Sequence, residues 1–111
     1  MCRRAHGAGY VTWVRLPRHQ LRFLTGEETL ANYRSSDHAT RSFCSACGSS
    51  LFFATTRSPE TIDVVLANLA GPIDRDPQLH VHFDDRVHWI RVADDLPRIG
   101  DPAALEPPST Q

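Results

Sequence analysis

The sequence predicts a mainly β fold built from antiparallel strands. Three observations carry this. Short runs rich in β-branched and aromatic residues recur along the chain, the usual composition of strands. Gly, Pro, Asp and Ser punctuate them at near-regular spacing, as hairpin turns require. No segment keeps a helical period over three turns. A chain of 111 residues is one domain by the usual size prior.

The elements follow in order. "GYVTWVRL" (Gly9–Leu16) reads as a strand that Pro17 ends. "QLRFLTG" (Gln20–Gly26) alternates Leu21 and Phe23 with polar residues and turns at Gly26. "LANYRSS" (Leu30–Ser36) is a weaker strand. "SLFFATT" (Ser50–Thr56) and "TIDVVLANL" (Thr61–Leu69) are stronger, separated by the turn "RSPE" (Arg57–Glu60). "GPIDRDP" (Gly71–Pro77) is a long turn by its Gly, Pro and Asp content. "LHVHFDD" (Leu79–Asp85) and "VHWIRVADD" (Val87–Asp95) show period two and read as two further strands. "RRAHGAG" (Arg3–Gly9) can form one short helical turn, which its two glycines weaken. The domain is expected over residues 1–99, and the Pro-rich tail over 100–111 is expected to be loose.

Composition narrows the function. Hydrophobic content of 41% and charged content of 23% are those of a globular protein with one core. A formal net charge of -1 argues against a nucleic-acid partner, which leaves a basic footprint. No basic amphipathic face points to a membrane surface, and no apolar run is long enough to span a bilayer. Residues 1–20 lack the apolar stretch of a signal peptide, so the expected compartment is cytoplasmic. All twelve basic side chains are arginine, which excludes a Schiff-base lysine.

The chemistry concentrates in "RSFCSACGSSLFF" (Arg41–Phe53). A C-x-x-C turn lets two sulfurs converge on one ion, and the following Gly48 relieves crowding where the chain bends back. Tetrahedral zinc takes such thiolates but needs four ligands. The alternatives are a redox dithiol and two buried cysteines. A redox motif belongs to a βαβ context, which is not predicted here, so spacing and context favour metal. The odd count of Cys2, Cys44 and Cys47 disfavours a disulfide framework. Other ligand candidates are Cys2, His6 and His38; "CRRAH" sets Cys2 and His6 at i, i+4, on one face of a helical turn.

His80 and His82 share one face of their expected strand, with His88 nearby. Same-face polar pairs on half-exposed strands are common, and no metal role is assigned to them. His19 and His38 lie in loop-like sequence and are expected to be solvated. Adjacent strand residues point to opposite faces, so neither Asp84–Asp85 nor Asp94–Asp95 forms a facing acid–base dyad; both read as turn or strand-end residues.

On these residues the chain resembles the glutathione-dependent formaldehyde-activating enzyme family, which includes centromere protein V. The resemblance runs to about Ile99. It rests on "CRRAHGAGYVTWV", on "LRFLTGEETLANYRSSDHATRSFCSACGSSLFF" and on "DRDPQLHVHFDDRVHWIRVADDLPRI". It implies a small zinc-bearing β-tent fold and a zinc-dependent carbon–sulfur lyase that forms S-hydroxymethylglutathione or handles related glutathione adducts. It also implies two Zn2+ sites. One is structural, taking two cysteines of an N-terminal C-x-C and the later pair that Cys44 and Cys47 match. The other is catalytic and uses a C-x-C-x-x-C cluster of which Cys2 matches the last residue.

The chain departs from that pattern. It lacks the N-terminal C-x-C and the first two cysteines of the catalytic cluster. The expectation is that these ligands lie upstream of Met1, itself an internal methionine of a longer protein. The rival is a short form binding one zinc through Cys2, His6, Cys44 and Cys47, or none. Three function classes follow: the lyase, with glutathione as partner; a non-enzymatic zinc-stabilised binding module; and an inactive truncated form. Strands missing at the N-terminus would expose a sheet edge and favour a homo-oligomer.

Overall fold

The computed structural model describes residues 2–100. The expectations for Met1 and for the tail over 101–111 lie outside the described residues. Contacts divide the described chain into two compact units, one of residues 12–70 and one of residues 2–11 with 71–100.

The 12–70 unit is a five-stranded antiparallel sheet. Its strands are β1 (Trp13–Pro17), β2 (Leu30–Arg34), β3 (Ala39–Cys44), β4 (Ser50–Thr55) and β5 (Thr61–Val65). Their order across the sheet is β1-β5-β4-β3-β2. Strands β2 to β5 form a meander of consecutive hairpins, and β1 closes the far edge against β5.

Hairpin polar groups hold the turns. Between β2 and β3, Ser36 Oγ accepts the backbone N–H of His38 at 3.2 Å and of Ala39 at 3.1 Å, so the Ser-Ser turn satisfies its own donors. Between β4 and β5, the Ser58 and Thr61 hydroxyls lie 2.9 Å apart and the Ser58 N–H donates to Thr55 O at 3.1 Å.

Alternation along each strand sorts side chains to two faces. Register places Val14 opposite Val64, Leu16 opposite Ile62 and Phe52 opposite Val64, so these apolar residues share one face. Phe23 packs edge-on against Phe52, ring centroids 5.9 Å apart. On the other face, Trp13 lies 5.9 Å from Phe53, and Arg41 sets its guanidinium 5.1 Å from the Phe53 ring centre. There Arg15 and Asp63, in register, form an ion pair at 3.0 Å; the Asp63 hydrogen bond raises the Arg15 pKa, against desolvation. The buried residues of the sheet are Ala39, Arg41, Ile62, Val64 and Val65.

Four expected strands of this unit form, with bounds shifted by one to four residues. Two differences stand out. Gln20–Gly26 is not a strand: it follows a 3-10 turn at Arg18–Gln20 and ends at Gly26 in the left-handed region, φ 81°. β3 was not expected, because Thr40, Arg41 and Ser42 mask its alternation. It is nevertheless a central strand, since β2 and β4 pair with both its edges.

In the other unit, Cys2–His6 forms one turn of α-helix, α1. The two strands expected at Leu79–Asp85 and Val87–Asp95 do not form. Residue 80 makes an isolated parallel bridge to residue 98, Phe83–Asp85 is a 3-10 turn, and residues 87–97 carry no strand. Period two in a short polar sequence supplies no ladder partner, and a strand without one leaves its backbone groups to loop contacts. Among the described residues of this unit the buried apolar one is Val87, and Gly9 packs so closely on Ile90 that a Cβ there would lie 2.7 Å from Ile90 Cδ1. Among the described residues no helix is long and apolar enough to cross a membrane.

Candidate functional site

The C-x-x-C pair sits where β3 turns back into β4. Cys44 is the last residue of β3 and is half-buried, while Cys47 lies exposed on the turn. The Gly48 N–H donates to Cys44 O at 2.7 Å, and the Cys44 N–H donates to Ser49 O at 2.9 Å. Gly48 adopts φ 82°, a conformation that costs glycine nothing but strains a residue with a Cβ. The turn is tied to the start of β2, since the N–H and hydroxyl of Ser45 both reach Thr29 O at 2.8 Å.

The turn also sets the surroundings of the Cys47 thiol. Cys47 Sγ lies 3.2 Å from Ser49 Oγ in a hydrogen bond. That hydroxyl, then the Ser49 backbone N–H, then the Cys44 thiol, hold the Cys47 thiol below its usual range. Hydrogen bonds to sulfur favour the thiolate, the form that binds metal. The pair thus fits two positions of a tetrahedral thiolate site. Among the described residues of each unit, no group of three or more His, Cys, Asp or Glu side chains gathers to hold a metal ion.

Cys2 and His6 stand four apart on α1 as expected, both half-buried. His38 is exposed and touches Thr56, Nδ1 to Oγ1 at 3.5 Å. With Arg18, Thr40, Ala54 and Pro59 it lines a groove of about 170 Å³ at the β2–β3 end of the sheet, away from the thiols.

The histidines after Gly71 depart from expectation. His80 and His82 do not share a strand face: His82 takes the left-handed region at φ 52°, opening the 3-10 turn. His88 is exposed. His80 meets Asp94, its Nε2 standing 3.0 and 3.1 Å from the two carboxylate oxygens. Asp94 also accepts the Leu96 N–H at 3.0 Å, the turn role expected of it. The hydrogen bond from His80 is the first cause that lowers its pKa, with Leu96 and Arg98 acting in the same sense. Fourteen residues separate the pair, so no local pattern could reveal it. The one sequence signal was the Asp-Asp-Leu-Pro ending, where an Asp two residues before Leu96 caps a turn.

Residues 1–85 match the family described as glutathione-dependent formaldehyde-activating enzyme. The chain belongs to that family. No curated protein and no solved structure matches it. The family match contains the Cys44–Cys47 turn, Cys2 and His80. Asp94 lies beyond it, so the carboxylate that orients His80 comes from the part of the chain the match does not cover.

Proposed function

We propose that this family member acts in carbon–sulfur lyase chemistry of the formaldehyde-activating type, joining glutathione to formaldehyde or handling a related glutathione adduct. The observation that carries the reading is the Cys44–Cys47 turn, which lies inside the family match and whose hydrogen bonds lower the Cys47 pKa. Cys44 and Cys47 would supply two thiolates to Zn2+, in the structural role the family gives this pair. Cys2, on α1, would be a ligand of the catalytic zinc. When bound there, zinc supplies Lewis-acid polarisation of an oxygen or a thiolate.

The test has two parts. Zinc per chain is measured by elemental analysis on protein purified without added metal, for wild type and for Cys44→Ser. Turnover is followed by NMR of 13C-formaldehyde with glutathione, reading the S-hydroxymethyl carbon. Zinc near one per chain or more, lost in Cys44→Ser, together with catalysed adduct formation supports the reading. Zinc without turnover leaves a zinc-stabilised binding module. Neither zinc nor turnover sinks both.

A further inference from the structure

The His80–Asp94 pair is the best-built polar cluster in the described chain outside the thiol turn. Both carboxylate oxygens face one ring nitrogen, at 3.0 and 3.1 Å. An ionised carboxylate only accepts hydrogen bonds, so Nε2 must carry the proton. In the neutral ring Nδ1 is then the lone-pair nitrogen, and among the described residues it makes no hydrogen bond.

The ring is held on several sides. The His80 N–H donates to Pro97 O at 2.8 Å, and the Ile99 N–H donates to His80 O at 2.7 Å. The imidazole tilts against Phe83, centroids 5.8 Å apart. Its side chain is still 26% exposed, so a small solute can reach it.

The charges around it are Asp94 and Arg98 from the Asp94–Arg98 loop, and His82, Asp84, Asp85 and Arg86 from the 3-10 turn. Arg98 lies 3.7 Å from Asp94 and donates to the Asp94 and Leu96 carbonyls. His82 and Asp85 approach each other at 3.9 Å. Arg86 and Arg98 both cover the Phe83 ring, at 4.1 and 5.5 Å. Three carboxylates and two arginines thus surround the imidazole, and the Arg98 charge is drawn to Asp94.

We propose that His80, oriented by Asp94, is a proton-accepting site for the thiol substrate, an inference that rests on the glutathione reading above. The thiol S–H bond breaks and its proton passes to Nδ1, leaving the electron pair on sulfur. That pair forms the new bond to the formaldehyde carbon. The carbonyl π pair moves to oxygen, which takes the proton back from Nδ1. The product is the S-hydroxymethyl adduct, a hemithioacetal RS–CH2–OH, with no redox change. Asp94 is a positioning residue: it fixes the tautomer and steadies the imidazolium, as a carboxylate does in other His pairs.

The test uses the full chain as purified and the NMR turnover assay, with His80→Gln and Asp94→Asn. Gln keeps a donor toward Asp94 but accepts no proton, so the fold is retained, which a melting curve checks. General-base catalysis is worth on the order of 10²-fold or more. His80→Gln is expected to lose that much of kcat/KM and also the acid-side fall of the wild-type pH profile. Long-range 1H–15N spectra of the wild type should show the proton on Nε2 of the neutral ring. An active wild type whose rate and pH profile survive His80→Gln overturns this inference alone, as does a neutral ring protonated on Nδ1. A wild type inactive toward glutathione and formaldehyde overturns the parent reading and this one with it.

Discussion

Val64→Ala tests whether the sheet core lies where alternation and register place it. Val64 is 6% exposed and sits on β5 between Val14 of β1 and Phe52 of β4. The substitution removes two methyl groups from a contact shared by three strands. Each buried carbon is worth about 0.8 kcal/mol, so transfer alone costs about 1.6 kcal/mol. A residual cavity adds to this, but no side chain in the described core is fully enclosed, so partial collapse keeps the total near 2–2.5 kcal/mol. For a domain of roughly 100 residues that is a fall in Tm of about 8–15 °C. Differential scanning calorimetry at fixed zinc and pH reads it, with Leu24→Ala as control. Leu24 is 80% exposed, and its truncation should stay within about 0.5 kcal/mol. If Val64→Ala moves Tm no further than Leu24→Ala, the three-strand contact does not carry the fold.

Gly48→Ala adds a Cβ that meets nothing within 4 Å, so its cost is the backbone at φ 82° alone, about 1–2 kcal/mol; a cobalt titration should show a weaker thiolate charge-transfer band as the turn loosens. Asp94 is held below its usual pKa, so it stabilises the fold above the ordinary aspartate range, and that contribution fades as pH falls through its folded value. Urea midpoints for wild type and Asp94→Asn should therefore differ at neutral pH and converge in acid; a gap that persists at the lowest pH contradicts the assignment. Asp63→Asn breaks a cross-strand pair whose arginine is 41% exposed, so it should cost about 0.5–1 kcal/mol at low salt, and less at high salt.

The local signals in this sequence were good guides where chemistry and geometry are both short-range. The turn at Arg57–Glu60 and the strands around Val14, Phe52 and Val64 follow from composition and period two. The Cys-x-x-Cys-Gly turn follows from the glycine that its left-handed step requires. Family membership was legible too, because it rests on the order of short motifs along the chain.

The same rules misplace residues 79–95, where alternation mimics a strand. A strand exists only if another supplies its hydrogen bonds, and no residue within the window reports that partner. β3 is the opposite case: its Thr-Arg-Ser run hides a central strand, because Arg41 is buried by stacking its guanidinium near Phe53 on the neighbouring strand. The edge position of β1 beside β5, and the meeting of His80 with Asp94, likewise belong to tertiary structure alone. The sequence by itself determined the strands β1, β2, β4 and β5, the turn between β4 and β5, and the glycine-bearing turn on which the two cysteines lie, since those depend on neighbours a few positions away. Only the folded chain decided which strand pairs with which and which carboxylate orients which imidazole, because these contacts join residues whose separation leaves no periodic trace.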